Sequence, residues 1–328
     1  MMNFFATLAG LALGAGIVVY SGNALAQDKD SYPNKPVRLI VPFPAGQATD
    51  IIARLIGERL SRAWNQPVYV DNKGGGASIP GMLAGKEAAP DGYTITFASS
   101  TTTAVNEAVI PNLPYKMERD FVPVGPVFTQ TWLVVANPSA PYGSFPELVA
   151  AARKDPGSIS WGFGANALEL AAELVKQSAQ INIRGIPYKG SGATVNDLLG
   201  GHIMLGVETM ASTLPHIQSG KLKVLASLSD KRSPVLPDVP TLAELGYPGF
   251  VAAGWAGFFM PSGTPPAIVK KASDDVHAAL SDPDTQKAIT ARGSTPDLRS
   301  LADWSAFVRS ETAKWPEVIR KGNLQMGQ

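Results

Sequence analysis

The chain has 328 residues, which is long enough for two compact domains that each bury their own core. Its 28 basic and 27 acidic residues nearly balance, which argues against nucleic acid or an anionic membrane surface as a partner. Cysteine is absent, and the three histidines, His202, His216 and His277, lack metal-ligand spacing, so we expect no disulfide, no metal site and no cofactor.

The first 26 residues are predicted to be a secretory signal peptide that is cleaved after Ala26. An apolar stretch at residues 4–20 precedes the small-x-small sequence Ala24-Leu25-Ala26. No lysine or arginine precedes the apolar stretch, and the alternative is an uncleaved anchor, although the stretch is short and contains three glycines. Cleavage would release the mature protein into the periplasm.

Apolar strand-like runs alternate with helical periods in the first part of the mature chain, which is typical of parallel α/β construction. Strands are predicted at residues 37–41, 67–70 and 93–98, with helices after the first two. The third strand ends in a hydroxyl-rich sequence at residues 99–103, which is predicted as a loop. Ligands of open α/β sheets lie off the carboxyl ends of the strands, so we expect this loop at the same crevice as residues 43–50.

A second α/β series is bounded by two apolar runs, at residues 122–136 and 250–260, which predict two crossings between lobes. The elements between them are a helix at residues 145–154, a strand and loop at 159–166, a strand at 184–187, a helix through 197–199, and strands at 203–207 and 222–227. The predicted fold class is α/β, with two lobes joined by two crossing hinge strands. Residues 27–128 and 252–328 form lobe 1, and residues 129–251 form lobe 2.

Each lobe contains a strand-loop-helix unit that has glycine but neither lysine nor histidine in its loop. The first loop reads FPAGQATD at residues 43–50, and the second unit reads WGFGAN at residues 161–166. The first four amides of a helix have no partner inside the helix and lie at the positive end of its dipole, so each unit is a potential anion site. We therefore expect one carboxylate-bearing molecule to be held between the lobes.

Five segments of the mature chain carry a family resemblance in matching order and spacing. They are FPAGQATDIIAR at residues 43–54, APDGY at 89–93, PYKGS at 187–191, DLLGG at 197–201 and LPDVPT at 236–241. Together they resemble the Bug family, the extracytoplasmic solute receptors of tripartite tricarboxylate transporters. The resemblance implies a type II periplasmic-binding-protein fold whose two lobes enclose a small organic carboxylate. It also implies delivery of this solute to membrane permease subunits, and we expect a monomer.

Both ligand loops depart from the Bug pattern. Ala45 and Gln47 stand where the family has a second proline and a second glycine. The second-lobe loop lacks the usual serines and histidine, and carries Phe163 and Leu168 in place of hydroxyl side chains. Fewer hydroxyl donors and more ring surface favour an aromatic or otherwise bulky carboxylate over citrate.

The candidate ligand-binding residues lie in loops of both lobes. They are Phe43, Ala45, Gly46, Gln47, Thr49, Asp50, Ser99, Ser100 and Thr101 in lobe 1, and Phe163, Gly164, Ala165, Asn166, Tyr188, Lys189 and Glu208 in lobe 2. Gly46 is expected to let the backbone approach the ligand, while hydroxyl and amide side chains donate hydrogen bonds. Asp50 either caps its helix or touches ligand, Phe163 either walls the pocket or packs in the core, and Glu208 either faces the cleft or caps a turn.

Two other functions fit parts of the sequence. A sensor subunit would bind the same solute and pass the signal to a membrane kinase, and the sequence does not separate sensing from transport. A secreted α/β hydrolase would need a nucleophile, a base and an orienting acid. Gly190-Ser191-Gly192 is the nearest approach to a Gly-x-Ser-x-Gly elbow and lacks its spacing, so we predict no catalytic residue and no enzyme activity.

Overall fold

A computed structural model describes residues 32–323 of the chain. The predicted signal peptide, residues 1–26, lies outside the described residues. The described residues from Pro33 to Asn323 belong to one compact unit, and the boundaries of the two predicted lobes stay a prediction. Within the described part, no helix is both long and apolar enough to span a membrane.

The strands of the described residues form one mixed sheet. They are β1 (Val37–Val41), β2 (Val68–Asn72), β3 (Thr94–Ser99), β4 (Phe121–Ala136), β5 (Ser160–Phe163), β6 (Arg184–Pro187), β7 (Leu205–Thr209), β8 (Lys223–Ser227), β9 (Ala253–Pro261) and β10 (Thr295–Pro296). Their order is β2-β1-β3-β9-β4-β7-β5-β6, and β8 and β10 also pair with β4.

Helices cover both faces of this sheet. They are α1 (Ala48–Trp64), α2 (Ile79–Lys86), α3 (Asn106–Val109), α4 (Met117–Asp120), α5 (Phe145–Lys154), α6 (Asn166–Ala179), α7 (Ser191–Gly200), α8 (Met210–Gln218), α9 (Pro266–Ser281), α10 (Pro283–Thr290) and α11 (Leu301–Gly322). A 3-10 turn at Gly76–Ser78 precedes α2, and a π-helical segment at Thr101–Val105 leads into α3.

The parallel strands of the two halves of the sheet run toward each other. β1 is parallel to β2 and β3, and β5 is parallel to β6 and β7. β9 is antiparallel to β3 and β4, and β4 is antiparallel to β7. The first three strands therefore run in the same direction as β4, from the first half to the second, and β5, β6 and β7 run back. The carboxyl ends of the two parallel groups face each other across the middle of the sheet.

The two crossing strands predicted from the sequence are β4 and β9. The 16-residue β4 pairs with β9 from Phe121 to Thr131 and with β7 from Trp132 to Ala136. The register between β4 and β9 shifts between Pro123 and Gly125 and again after Pro126. Proline cannot donate to a sheet, so it is tolerated in a central strand at such irregularities.

The helix α11 packs along one face of the sheet and contacts elements of both halves. The Trp255 indole of β9 donates a hydrogen bond of 3.1 Å to the Glu311 carboxylate of α11. Farther along, the Gln177 side chain of α6 donates a hydrogen bond of 2.9 Å to the Val318 carbonyl. One hydrophobic cluster on this face joins α5, α6 and α11 to the strands.

The prediction of a loop at residues 99–103 was wrong, because a helix starts there. The Thr102 and Thr103 hydroxyls donate to the Ser99 carbonyl at 3.1 and 2.8 Å, and the Ser99 amide donates to Thr102 Oγ1 at 2.9 Å. Thr102 and Thr103 are buried. The Thr102 and Thr103 hydroxyls therefore stabilise a helix start where a loop was predicted.

Candidate functional site

The candidate site is the region between the two facing groups of strand ends. Loops β1–α1 and β2–α2 and the start of the π-helical segment lie at the ends of the first group. Loops β5–α6, β6–α7 and β7–α8 lie at the ends of the second group. Every candidate residue named from the sequence lies in or beside one of these connections.

The β1–α1 loop is exposed at its tip and turns at Gly46. Ala45, Gly46 and Gln47 are exposed, and Phe43 and Thr49 are half-buried. Gly46 has φ 84°, in the left-handed region that glycine adopts without strain. The tip therefore presents its backbone to solvent.

The Asp50 carboxylate holds this loop in place through hydrogen bonds. It is 2% exposed, and its Oδ2 accepts hydrogen bonds from the Gly46 amide at 2.8 Å and from Arg54 Nε at 3.0 Å. Asn72 Nδ2 donates to Asp50 Oδ1 at 2.8 Å. Burial alone would raise the pKa of Asp50, but the hydrogen bonds from Arg54, Gly46 and Asn72 hold it below its ordinary value. The carboxylate thus organises the loop, and its contact with a ligand stays a prediction.

The β2–α2 loop packs directly on the β1–α1 loop. A Cβ on Gly74 would lie 3.0 Å from the Pro44 nitrogen and 3.2 Å from the Phe43 carbonyl carbon. Farther along, Ala77 and Ser78 have φ values of 54° and 65°, a conformation that costs energy for residues with a Cβ. The glycine at position 74 lets the two loops form one wall.

The hydroxyl residues at the end of β3 differ in accessibility. Ser100 is buried, Ser99 is half-buried and Thr101 is exposed. Ser99 Oγ accepts a long hydrogen bond of 3.4 Å from the Thr102 amide. Of these three predicted ligand residues, Thr101 is the one whose side chain reaches solvent most freely.

In the second half, the β5–α6 loop rests on the β6–α7 loop. A Cβ on Gly164 would lie 2.7 Å from Ser191 Cα and closer still to the Gly190 carbonyl carbon. Gly190 itself has φ 103°. Ala165 and Asn166, which precede and begin α6, are exposed. The second wall is therefore built by backbone packing.

Two aromatic candidates of the second half are engaged within the protein. Phe163 is buried in the core, where its ring lies against Gly185, so it has the packing role that the sequence left open. The Tyr188 hydroxyl donates to Asp197 Oδ2 at 2.7 Å. Burial and the adjacent Asp197 carboxylate raise the pKa of Tyr188 to about 12. Ligand contact by either side chain stays a prediction, and Lys189 beside them is exposed.

Glu208 is a buried acid near the carboxyl end of β7. It is 0% exposed, and its Oε2 accepts long hydrogen bonds from the Thr209 amide at 3.4 Å and from the Ser212 hydroxyl at 3.3 Å. Its Oε1 has no hydrogen-bond partner among residues 32–323. The Glu208 carboxylate thus contacts the turn at the start of α8, and its contact with a ligand stays a prediction.

Most helix starts at the candidate site lack a side-chain cap. Within the described chain, no side chain caps α1, α2, α6 or α7, and the N-cap residues of α1, α6 and α7 are Gln47, Ala165 and Gly190. Thr209 caps α8 at the site itself, and elsewhere the starts are mixed, since side chains cap α5, α10 and α11 but not α3, α4 or α9. Three helix ends at the site therefore keep amides available to an anion.

Residues 52–324 match the family described as "Tripartite tricarboxylate transporter family receptor". The chain belongs to this receptor family. Protein BugT of Bordetella pertussis is 37% identical over 321 residues, covering 96% of this chain and 98% of that protein. These matches confirm the resemblance to the Bug family.

Solved structures confirm the fold of this receptor family member. A TctC solute-binding protein from Polaromonas, solved without ligand, has a TM-score of 0.81 at 26% identity, covering 88% of this chain and 99% of that one. A protein from R. palustris solved with adipate has a TM-score of 0.71 at 31% identity, covering 89% and 98%. The chain therefore has the α/β periplasmic-binding-protein fold and is a non-enzymatic receptor. In the part of the receptor that the structure describes, no cluster of three metal-ligating side chains occurs.

Sequence reasoning missed Asn72 and the bracing role of Arg54. Arg54 Nη2 donates to Asn72 Oδ1 at 2.7 Å, and Asn72 also contacts the first ligand loop. A signal was present, since Asn72 comes two residues after the strand predicted at residues 67–70. The carboxyl ends of neighbouring parallel strands meet at one edge, which places a polar residue there beside the loop.

Proposed function

We propose that this receptor captures one small organic carboxylate between the two halves of its sheet and delivers it to membrane permease subunits of a tripartite tricarboxylate transporter. The observation that carries the proposal is the set of uncapped helix starts at the facing strand ends. Free amides at the positive end of a helix dipole stabilise an anion, and the two facing sides supply them together.

Two features support a carboxylate as the solute. The exposed tip at Ala45, Gly46 and Gln47 presents backbone, and on the opposite side Ala165 and Asn166 do the same at the start of α6. The related R. palustris protein was solved with adipate, a carboxylate. Backbone amides and the Asn166 side chain can bind a carboxylate without a metal or a cofactor.

We further propose that the ligand is bulkier or more apolar than citrate. Phe163 and Leu168, which stand in place of hydroxyl side chains, both lie in the core, so the proposal rests on the missing hydroxyl donors and not on ring surface. Each hydroxyl that is missing from the loop removes a donor that a polyanionic acid would need. An aromatic or otherwise large acid would need fewer such donors.

Titration calorimetry of the ligand-free mature protein against adipate, citrate, succinate, nicotinate and terephthalate tests both statements. Tight binding of at least one acid, with the acid recovered chemically unchanged, is expected. Preference for terephthalate or nicotinate would support the bulky class, and tight binding of citrate alone would contradict it. Failure to bind any acid, together with turnover of one of them, would overturn the receptor proposal itself.

We propose that the halves close on the ligand by bending at β4 and β9, and that the described conformation is the open one. The ligand-free Polaromonas protein gives the higher TM-score although it is less similar in sequence than the adipate-bound protein. A ligand that binds the closed form better shifts the population toward it. Small-angle scattering should show a smaller radius of gyration with ligand, and an unchanged radius would contradict closure.

We also propose that the receptor works in the periplasm as a monomer after removal of residues 1–26. This placement follows from the signal-peptide pattern and from the family, whose partners are membrane proteins. Mass spectrometry of the exported protein should give an N-terminus at Gln27. Deleting the gene should abolish uptake of the bound acid, and normal uptake with a lost transcriptional response would favour the sensor alternative.

A further inference from the structure

We propose that Asn72 is the positioning residue of the first ligand loop, which it holds in binding shape without touching the ligand. The inference deepens the proposed function and rests on it, because the loop shape matters only if the loop binds a carboxylate. Asn72 is the last residue of β2 and pairs with Val41, the last residue of β1. It therefore lies beside the point where the ligand loop leaves the sheet.

Asn72 closes a ring of hydrogen bonds around the loop. Its Nδ2 donates to the Phe43 carbonyl at 3.1 Å and to Asp50 Oδ1 at 2.8 Å. Its Oδ1 accepts from Arg54 Nη2 at 2.7 Å, and Arg54 Nε donates to Asp50 Oδ2 at 3.0 Å. The Gly46 amide completes the ring by donating to Asp50 Oδ2 at 2.8 Å. The beginning of the loop and its turn are thus tied to one side chain of the neighbouring strand.

These hydrogen bonds determine which backbone amides of the loop can donate to a ligand. The Gly46 amide is turned toward Asp50, so it does not donate to a carboxylate in the cleft. The amides that follow it, at the uncapped start of α1, are left to do so. Gly46 then contributes its left-handed turn and its small size, whereas Gln47 and Thr49 contribute backbone donors. Rigid placement of these donors lowers the entropic cost of binding.

An asparagine side chain has the required chemistry at position 72. The position needs donors for a carbonyl and a carboxylate, and an acceptor for a guanidinium. A primary amide offers both, whereas aspartate of the same shape would lose both donors and face the Asp50 carboxylate. Asn72→Asp is therefore a near-isosteric test, and Asn72→Ala removes all three hydrogen bonds that this side chain makes in the ring.

The first measurement needs no ligand. Amide hydrogen exchange of Gly46, followed by NMR, should be slow in the wild-type protein and fast in Asn72→Ala and Asn72→Asp. If Asn72 only stabilised the strand, its loss would change the exchange of Leu39 in β1 together with that of Gly46. We expect the variants to speed the exchange of Gly46 and to leave that of Leu39 unchanged. Unchanged protection of Gly46 in both variants would overturn the inference, whatever the protein binds.

The second measurement is affinity, by calorimetry against adipate, terephthalate and citrate. We expect Asn72→Ala and Asn72→Asp to bind the best of these acids about ten- to a hundredfold more weakly, the range seen when supporting partners of a site are removed. Arg54→Ala, on the exposed face of α1, is the second variant if both Asn72 variants fail to fold, and it should weaken binding in the same direction.

Asn137→Ala is the matched control, because Asn137 is also an asparagine whose side-chain amide bonds backbone, with Nδ2 donating to the Leu198 carbonyl at 2.7 Å. It follows the end of β4, away from the ligand loops, so stability should fall while affinity stays the same. Wild-type affinity in the Asn72 and Arg54 variants would overturn the inference and leave the receptor proposal standing. Absence of binding to any acid by the wild-type protein would overturn both.

Discussion

The two walls of the candidate cleft are held in place by different means. On the first side, the side chains of Asp50, Arg54 and Asn72 brace the ligand loop through charge-assisted hydrogen bonds. On the second side, backbone packs against backbone where Gly164 meets Gly190 and Ser191. The stability of a loop held by charged hydrogen bonds depends on pH and on each polar atom involved. The stability of a loop held by close packing depends instead on side-chain volume. The two sides should therefore fail under different perturbations.

Gly164→Ala should give the largest effect, because the added Cβ would overlap the backbone of Gly190 and Ser191. Overpacking against backbone cannot be relieved by a rotamer change, so we expect a loss of about 3 kcal/mol of stability or more, together with loss of ligand binding. Denaturant unfolding and calorimetry would measure the two effects.

Gly192→Ala is the matched control for this variant. A Cβ there would meet no atom of the described chain within 4 Å, and the residue lies inside α7, where alanine is favoured over glycine. We expect equal or higher stability in denaturant unfolding. Equal behaviour of the two variants would contradict the account of the packed wall.

Asp50→Asn tests the braced wall and should cost about 2 kcal/mol near neutral pH, because a buried acceptor of charged donors is lost. The folded-state pKa of Asp50 is lowered from 3.8, so its stabilisation is present above pH 3.8 and is lost as the pH falls through the lower folded value. The stability difference between wild type and variant should therefore shrink below pH 3.8.

Urea unfolding of both proteins at about six pH values between roughly 2.5 and 7 would measure this difference. The comparison with the variant removes the contribution of other acids, such as Asp120, whose pKa is lowered to about 2. A stability difference that stays constant with pH would contradict the role given to the Asp50 carboxylate.

Tyr188→Phe should give the smallest effect, because it removes one hydrogen bond to the half-buried Asp197 and leaves the ring packed against Gly162. We expect a loss of about 1 kcal/mol of stability and little change in affinity. Tyr69→Phe, at an exposed position of β2, serves as the control and should change neither. A large loss of affinity in Tyr188→Phe alone would show that the hydroxyl serves the ligand.

The fold was predictable from the sequence where burial imposes a pattern. The helix at Phe145–Lys154 and the strand at Arg184–Pro187 occur at the predicted bounds. The crossing strand β4 was recognised as a long apolar run because it is buried along most of its length. The helix α8 was missed, since Pro215 interrupts its sequence although its start is capped by Thr209.

The location of the candidate site was predictable, but the directions of its side chains were not. Loops at the carboxyl ends of strands can be named from the order of elements alone. Whether Phe163 faces solvent or the core depends on which face of β5 is covered, and here α6 and its neighbours cover it. The role of Asn72 depends on the register of β1 and β2, which pairs it with Val41. The order of residues alone gives neither the covered face of β5 nor the register of β1 and β2.

The helix α11 joins the two halves that are proposed to move. It is tied to β9 through Glu311 and to α6 through Val318, and Pro316 lies inside the helix between these two contacts. In the proposed closure, rotation about the crossing strands must therefore shift one of the contacts or bend the helix near Pro316, where proline removes a backbone hydrogen bond. We expect α11 to oppose closure in this way, although it lies in neither wall of the candidate cleft.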